Sequence, residues 1–561
     1  MKQLIKYIRL SIRRVSFFML MIIGACACSD FLDTDSDAYL KTDDNKLTSP
    51  NDSVYSLFGI LSEFQKLGDE IVVLGELKAD LMDVSIHSDK YLREINSHST
   101  LSPDNPYLDV SPYYAVINNC NYVIAHMDTV VGNNALLSDY AAAVKIRAYT
   151  YFLLAKTFSQ VRYYENPVLS VEEARNMDQY PLISRESLLG ILIPQLQKIV
   201  HVTDPLRSMN DIPMGLMIPS AEFLLAECYL WLNQYELAAT YYKRMMEEEP
   251  SGHMLVGNTI TYTTTGWNMS WNNIFGDNKG GAEVVACICY HPSLGVKFPV
   301  KTLCDEDMVK PSSKAIDHWY AQENNNLNAS AEQKLLGDLR GFALGLTSWS
   351  LHKTKDVDHK ELSIPYITKF KADTTFGGRV LIERASMYHL RYAEVVNRMG
   401  KPTLALAALN YGLKKSIVSD SKYVNPAEVG AEPPFVTDFL NARYDDNLGV
   451  RSRAGMKAVS FPTGDKTLAT LQDSILFVED AILNEAALEM AFEGSRWSDL
   501  VRVGLRRLNN GEQNDFVAKT VSEKFIVNED TRMPFTPSAD PTTIYNKLLD
   551  SNNFFIPFPE K

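Results

Sequence analysis

Residues 484–504, NEAALEMAFEGSRWSDLVRVG, place Glu485, Glu489 and Glu493 at intervals of four and follow them with Arg496, Asp499 and Arg502 at intervals of three. On a helix, positions i, i+4 and i+8 share one face. Carboxylates aligned in this way suit three kinds of chemistry. Two carboxyl groups about 5 to 9 Å apart are the apparatus of glycoside hydrolysis. Carboxylates ending in guanidinium groups also make a ligand clamp, or an ion-pair staple that holds a scaffold. Local spacing does not choose among these. The stretch also carries Leu488, Met490, Ala491 and Phe492 toward a core, with Trp497 expected to cap that core where the helix breaks after Gly494.

Reactive side chains of a second kind stand near the N-terminus. Lys2, Lys6, Arg9, Arg13 and Arg14 precede the apolar run VSFFMLMIIGACAC, which is shorter than the roughly 20 residues a spanning helix needs. The pattern is that of a secretory leader. It ends in Cys26 and Cys28, and IGAC resembles the lipobox of bacterial lipoproteins, in which the cysteine thiol is acylated. Cys26 has the better lipobox, while Cys28 abuts SDFLD. No later hydrophobic run reaches spanning length. Loss of the leader would remove five positive charges from a formal net charge of −14, leaving no basic cluster able to neutralise phosphates, so nucleic acid is excluded as a partner. Outside the leader, Cys120, Cys228, Cys287, Cys289 and Cys304 are odd in number and irregularly spaced, which predicts buried thiols rather than a disulfide framework. ACICY puts Cys287 and Cys289 on one side of a strand, but nothing nearby completes a zinc set. No metal or cofactor is implied.

The elements that must position these residues are mainly helical. In PSAEFLLAECYLWLNQYELAATYYKRMMEEEP, Leu225, Ala226 and Tyr229 form one helical face. Asn233-Gln234 make a turn, and Tyr235, Ala238 and Tyr241 form a second face, as in a tetratricopeptide-like hairpin. Tyr388, Tyr392, Ala393 and Val396, a break at Gly400-Lys401-Pro402, and Leu404, Ala405, Ala408 and Leu409 repeat the scheme. YAAAVKIRAYTYFLLAKTFSQV pairs with SRESLLGILIPQLQKIV, and residues 473–504 supply a fourth unit. Unequal insertions separate the units, so a regular solenoid is excluded. The insertions between 251 and 375 and after 415 are rich in Asn, Asp, Gly, Thr and Pro and predict loops and short strands laid over the helical frame.

These residues carry a resemblance. The leader running into CSDFLD, the segments NNCNYVIAHMD, KIRAYTYFLLAKTF and RYAEVVNRMG, the stretch LNEAALEMAFEGSRWSDLVRVG and the closing NNFFIPFPE are similar, in order, to the SusD/RagB family of outer-membrane lipoproteins. The resemblance implies a SusD-like α-α superhelix and a non-catalytic cell-surface protein, lipid-anchored in the outer membrane. It would bind an oligosaccharide or polysaccharide, or a peptide in RagB-like members, and deliver it to a SusC-like TonB-dependent transporter. It divides the chain into a leader (1–25), a tether (26–50), an N-terminal helical region (51–270) and a C-terminal region (271–561), the last two interwoven. It also favours the staple for Glu485, Glu489 and Glu493, since this segment is a signature across members with different ligands.

Sugar rings are recognised by flat aromatic faces flanked by amide and charged groups. Two loops offer them. TYTTTGWNMSWNNIFGDN holds Tyr262, Trp267 and Trp271 with Asn268, Asn272 and Asn273, although W-N-N-I-F resembles a packing motif that makes Trp271 the poorer candidate. DVSIHSDKYLREINSHSTLSPDNPYLDVSPYY holds Tyr91, Arg93, Asn96 and Tyr107, and Trp267 with Tyr91 or Tyr107 is expected to form an exposed platform. His87 and His98 read as polar surface. The alternatives are a tetratricopeptide-like envelope scaffold without a small ligand, which leaves the loop tryptophans unused, and a surface glycosidase, for which no paired carboxylates stand on loops.

Overall fold

The apolar-periodic stretches form the helices that build the frame, and Asp89, Ser184, Ser220, Thr470 and Asp540 cap five of them with a side chain. In the computed structural model, residues 50–127, 134–209, 212–247, 252–263, 266–275, 283–291, 297–325, 330–331, 337–341, 348–355, 361–373, 377–527 and 535–559 are described; Cys26 and Cys28, with the expected leader and all of the expected tether but Pro50, lie outside them. Residues from Thr48 onward form one compact unit. Helices α1 (Pro50–Phe64), α2 (Lys90–Asn96), α3 (Ser111–His126), α4 (Asn134–Phe158) and α5 (Arg185–Ile199) come first. α4 packs on both α3 and α5, as the sequence pairing of α4 with α5 anticipates. The hairpin α6 (Ala221–Trp231) and α7 (Tyr235–Glu247) follows, then the hairpin α8 (Ala385–Arg398) and α9 (Pro402–Asn410). Ser220 accepts a bond from the Phe223 amide at the head of α6, and Asn233, with φ 57°, makes the turn to α7.

The hairpins stack although long insertions separate them in sequence: α7 packs against α8, and α8 against α10 (Leu471–Glu489). Being surrounded, α6 buries every residue from Ala221 to Trp231, not the single face that periodicity predicts. α8 likewise buries Ala385 through Asn397. Thr470 and Asp473 form a capping box at the start of α10. α10 ends at Glu489, and α11 (Arg496–Asn509) begins after a reversal in which Phe492 and Gly494 adopt φ of 69° and 86°. The quoted stretch is thus two helices and a turn, with the break starting before Gly494 rather than after it. Helices α12 (Phe516–Ser522) and α13 (Pro541–Leu548) pack on each other and complete a core cluster with Trp497, Phe152, Trp231 and Phe554.

Short strands lie over this frame. β1 (Met82–Val84) pairs antiparallel with β5 (Val309–Pro311). β2 (Ile260–Thr263) and β3 (Gly266–Met269) form a hairpin in which Tyr262 faces Trp267. β4 (Val284–Tyr290) pairs with β9 (Gly377–Arg384) through an irregularity at Leu381–Arg384, and β8 (Ala372–Asp373) lies on the other side of β9. β6 (Trp349–Lys355) and β7 (Glu361–Ile367) form another hairpin. Cys287 and Cys289 do share a side of β4, with their sulfurs 3.4 Å apart, and Cys120, Cys228, Cys287, Cys289 and Cys304 are all free and buried. No helix among the described residues is long and apolar enough to cross a membrane.

Candidate functional site

Glu485 and Glu489 of α10 and Glu493 of the turn that follows it are buried and spent on ion pairs. Arg451 reaches Glu485 at 2.6 Å. Arg340 donates through Nη1 to Glu489 at 2.6 Å and lies 2.7 Å from Glu485. Arg384 bridges Glu489 (2.7 Å) and Glu493 (2.7 Å), and Lys369 reaches Glu493 at 2.5 Å. Burial alone would raise the Glu489 carboxyl, but Arg384 and Arg340 hold it down to about 2. No general acid is available in a carboxylate so committed. The staple stands, and its partners come from other elements, a neighbouring helix among them, rather than from the turn's own Arg496 and Arg502. The cations come from Arg340, Lys369, Arg384 and Arg451, whereas Arg496 grips Asp80 (2.7 Å) and Arg502 grips Glu394 (2.6 Å). Asp499 bonds Arg391 (2.5 Å) and Arg502 (2.9 Å).

This network also roots the aromatic hairpin. Trp271 is fully buried, 5.4 Å from both Lys369 and the Arg384 guanidinium, with its ring 5.2 Å from Phe275. Its amide donates to the Thr259 carbonyl (3.2 Å), and the Thr259 amide donates to the Arg453 carbonyl (2.9 Å). Trp271 therefore packs, as W-N-N-I-F suggests. Tyr262 and Trp267 are half-buried and meet edge to face at 5.0 Å; Asn268 and Asn273 are exposed and Asn272 is half-buried. The hairpin thus presents two aromatic rings and amides on a fixed root.

The early loop divides differently from expectation. Tyr91 is half-buried, donates to Asp104 at 2.8 Å and has the Lys90 ammonium 4.7 Å over its ring. Arg93 is exposed. Asn96 is a structural residue, 0 % exposed: its amide donates to Asp83 (3.0 Å) and Ser538 (2.9 Å) and its oxygen accepts from Lys524 (2.8 Å). Tyr107 is buried as well, because Pro106–Leu108 forms a one-turn helix capped by Asn105 that turns the ring inward. Asn96 and Tyr107 are therefore unsuited to touch a ligand. His87 is exposed, but His98, expected at the surface, is buried: its Nε2 lies 2.8 Å from the Lys78 carbonyl and its ring 5.3 Å from Trp497. Burial, followed by the neighbouring Lys78 and Lys524 charges, holds its imidazole well below the usual range.

Of the expected platform of Trp267 with Tyr91 or Tyr107, buried Tyr107 takes no part, while Trp267 packs on Tyr262 and Tyr91 on Lys90 and Asp104. Two cavities instead flank the early loop. One, of about 430 Å3, lies between Ile95, Leu101 and Leu108 and the C-terminal Ile556–Pro559. The other, of about 570 Å3, is lined by Arg93, Lys310, Ser363 and Phe535 among others. Both fall in the usual size range of small-molecule sites. Sequence reasoning missed Lys310 and Phe535, because neither belongs to an aromatic-rich loop. The NNFFIPFPE segment docks on the frame: the Phe554 carbonyl accepts from Trp497 Nε1 (3.2 Å) and Lys78 (3.0 Å), and the Ile556 amide donates to Thr157 (3.0 Å).

The sequence pattern of the SusD family matches residues 427–560. No curated protein matches the chain. Among solved structures, a SusD superfamily protein from Bacteroides vulgatus is similar at 14% identity and TM-score 0.54, over 91% of this chain and 98% of that one. A SusD-like carbohydrate binding protein from Bacteroides fragilis matches at 17% identity and TM-score 0.56, over 89% and 96%. Another SusD-like carbohydrate binding protein, from Bacteroides vulgatus, matches at 13% identity and TM-score 0.56, over 82% and 84%. The C-terminal region thus matches the SusD family's pattern, and the fold of SusD-like proteins runs through most of the chain's length.

Proposed function

We propose that this protein is a lipid-anchored, non-catalytic, outer-membrane surface protein that binds an oligosaccharide or polysaccharide and delivers it to a SusC-like TonB-dependent transporter. The observation that carries this reading is the fold shared, over nearly the whole chain, with a SusD-like carbohydrate binding protein. The sequence adds a leader ending in Cys26 and Cys28. The structure supports the division of labour, because the acidic stretch is consumed by ion pairs while Tyr262, Trp267 and Asn268 stand on a rooted hairpin. Binding residues tend to lie on loops fixed to rigid scaffolds. Tyr91 and Arg93 belong to the same reading from the early loop. Affinity electrophoresis of the purified chain in gels containing plant, host and microbial glycans tests it. Retardation by at least one glycan is expected. Retention of peptides with no glycan retarded would favour a RagB-like peptide carrier, and indifference to both would favour a bare envelope scaffold.

A further inference from the structure

The cleft of about 570 Å3 that separates the early loop from β5 and β7 has two charged side chains on its wall, Arg93 and Lys310, and no carboxylate. That sign is unusual on a chain of formal net charge −14. Arg93 is held in place from behind. Its Nε donates to the Ser88 carbonyl (3.1 Å), and its Nη2 donates to the carbonyls of Ser85 (2.7 Å) and Ile86 (3.1 Å). Nη1 has no partner among the described residues, so the guanidinium offers one edge in a fixed orientation. Lys310 sits on β5 opposite Asp83 in the β1 register. Asp83 is buried and turned to other donors, the Asn96 amide (3.0 Å), the Ser538 hydroxyl (2.7 Å) and the Val84 amide (2.8 Å). The Lys310 ammonium consequently makes no ion pair among the described residues. Hydroxyls of Ser363 and Thr536 and apolar surface from Ile86 and Phe535 complete the wall.

A guanidinium whose rotamer is already fixed binds an anion without a further ordering cost, and a strand-borne ammonium adds a second positive charge. The hydroxyls and the apolar patch match the polar edge and flat face of a sugar ring. We propose that this cleft binds an acidic sugar, one bearing a carboxylate or sulfate group, with Arg93 and Lys310 receiving the anion. The proposal rests on the glycan-binding reading above and narrows it to a charge class.

The test is calorimetry of the full-length chain in detergent. The probes are oligogalacturonate, which carries carboxylates, its methyl ester, which has the same framework without charge, and carrageenan oligosaccharides, which carry sulfate. An acidic probe is expected to bind, with affinity that falls as salt is raised. Lys310→Glu should weaken that binding by about tenfold or more at unchanged melting temperature, because a like charge then faces the anion. Arg93→Lys, which keeps the charge and loses the fork, should weaken it less, and the methyl ester should bind far more weakly than the acid. Preference between the carboxylated and sulfated probes identifies the anion, and either preference supports the proposal. Equal binding of acid and ester, or wild-type affinity for the acid in Lys310→Glu, overturns it. If neutral glycans bind and both acidic probes do not, the charge class is wrong and the glycan reading stands. If acidic peptides bind and no glycan does, both fall.

Discussion

Two tryptophans four residues apart show how burial separates packing from recognition. Trp271 lies under Lys369 and Arg384, whereas half-buried Trp267 meets half-buried Tyr262 edge to face on the β2–β3 hairpin. Trp271→Ala should lower stability by about 3–5 kcal/mol, the usual cost of deleting a buried large aromatic, and thermal melting measures it. Trp267→Ala should leave the melting temperature nearly unchanged and weaken glycan binding by about 1.5–3 kcal/mol, the value of a large apolar face. A large fall in melting temperature for Trp267→Ala would remove it from the site. The buried carboxylates predict a pH dependence. Burial opposes ionisation of Glu479 and Glu489, but Arg506 and Arg398 around the first, and Arg384 and Arg340 around the second, depress both to about 2 from an ordinary 4.5. A depressed carboxyl stabilises the fold above its unfolded value and loses that contribution as pH falls through its folded value. Melting temperature should therefore drop between about pH 4.5 and pH 2, and Glu479→Gln and Glu489→Gln variants should lose less across that interval than the wild type. The W-N-N-I-F motif told Trp271 from Trp267. Nothing local warned that Asn96 turns inward, since its partners Lys524 and Ser538 come from other parts of the chain; for Tyr107 the Asn105-Pro106 turn was local, but the acidic pair Asp69 and Glu70 near the ring was not.

At the scale of elements, the turn between α10 and α11 is fitted against the helical segment Gly68–Leu77 that precedes β1. Glu76, wholly buried, accepts from the amides of Phe492 (3.1 Å), Gly494 (2.8 Å) and Arg496 (3.4 Å). The two backbones touch through glycines: a Cβ on Gly75 would lie 2.0 Å from the Gly494 carbonyl oxygen, and one on Gly494, with φ of 86°, would lie 2.8 Å from the Ile71 carbonyl oxygen. Gly75→Ala and Gly494→Ala should each destabilise by about 1–3 kcal/mol or more, through overpacking against backbone that cannot yield and, at Gly494, left-handed strain. Chemical denaturation measures this, and wild-type stability in Gly75→Ala would contradict the contact. Hairpins, caps and the β4 strand were legible because periodicity and capping are local. The staple's partners were not: Arg340 and Arg384 lie 149 and 105 residues before Glu489, a pairing that only the stacking of α8 on α10 and the course of the insertions decide.

At the scale of the whole molecule, one compact unit begins at Thr48, and the residues before it, Cys26 and Cys28 among them, read from the sequence as a leader and tether. If the leader is a lipidation signal, replacing both Cys26 and Cys28 by alanine should release the chain from the membrane fraction into the periplasm or medium, since buried acyl methylenes contribute about 0.8 kcal/mol each to anchoring. Persistence of the double variant in washed membranes would refute the anchor. The mainly helical architecture and its dressing of short strands were readable from the sequence. The cleft between the early loop, β5 and β7 was not, because it is assembled from segments far apart in the chain that share no motif. The central claim is that the charged stretch holds the scaffold while ligand is bound by loops elsewhere. Its most direct test is Glu493→Gln, which leaves Lys369 and Arg384 short of a buried charge partner. Melting temperature and affinity are measured together on the same protein, using a glycan that retards the wild type. The account predicts a loss of about 3–5 kcal/mol in stability with affinity per folded molecule unchanged. A variant that melts like the wild type and no longer binds would contradict it and place the site on this stretch.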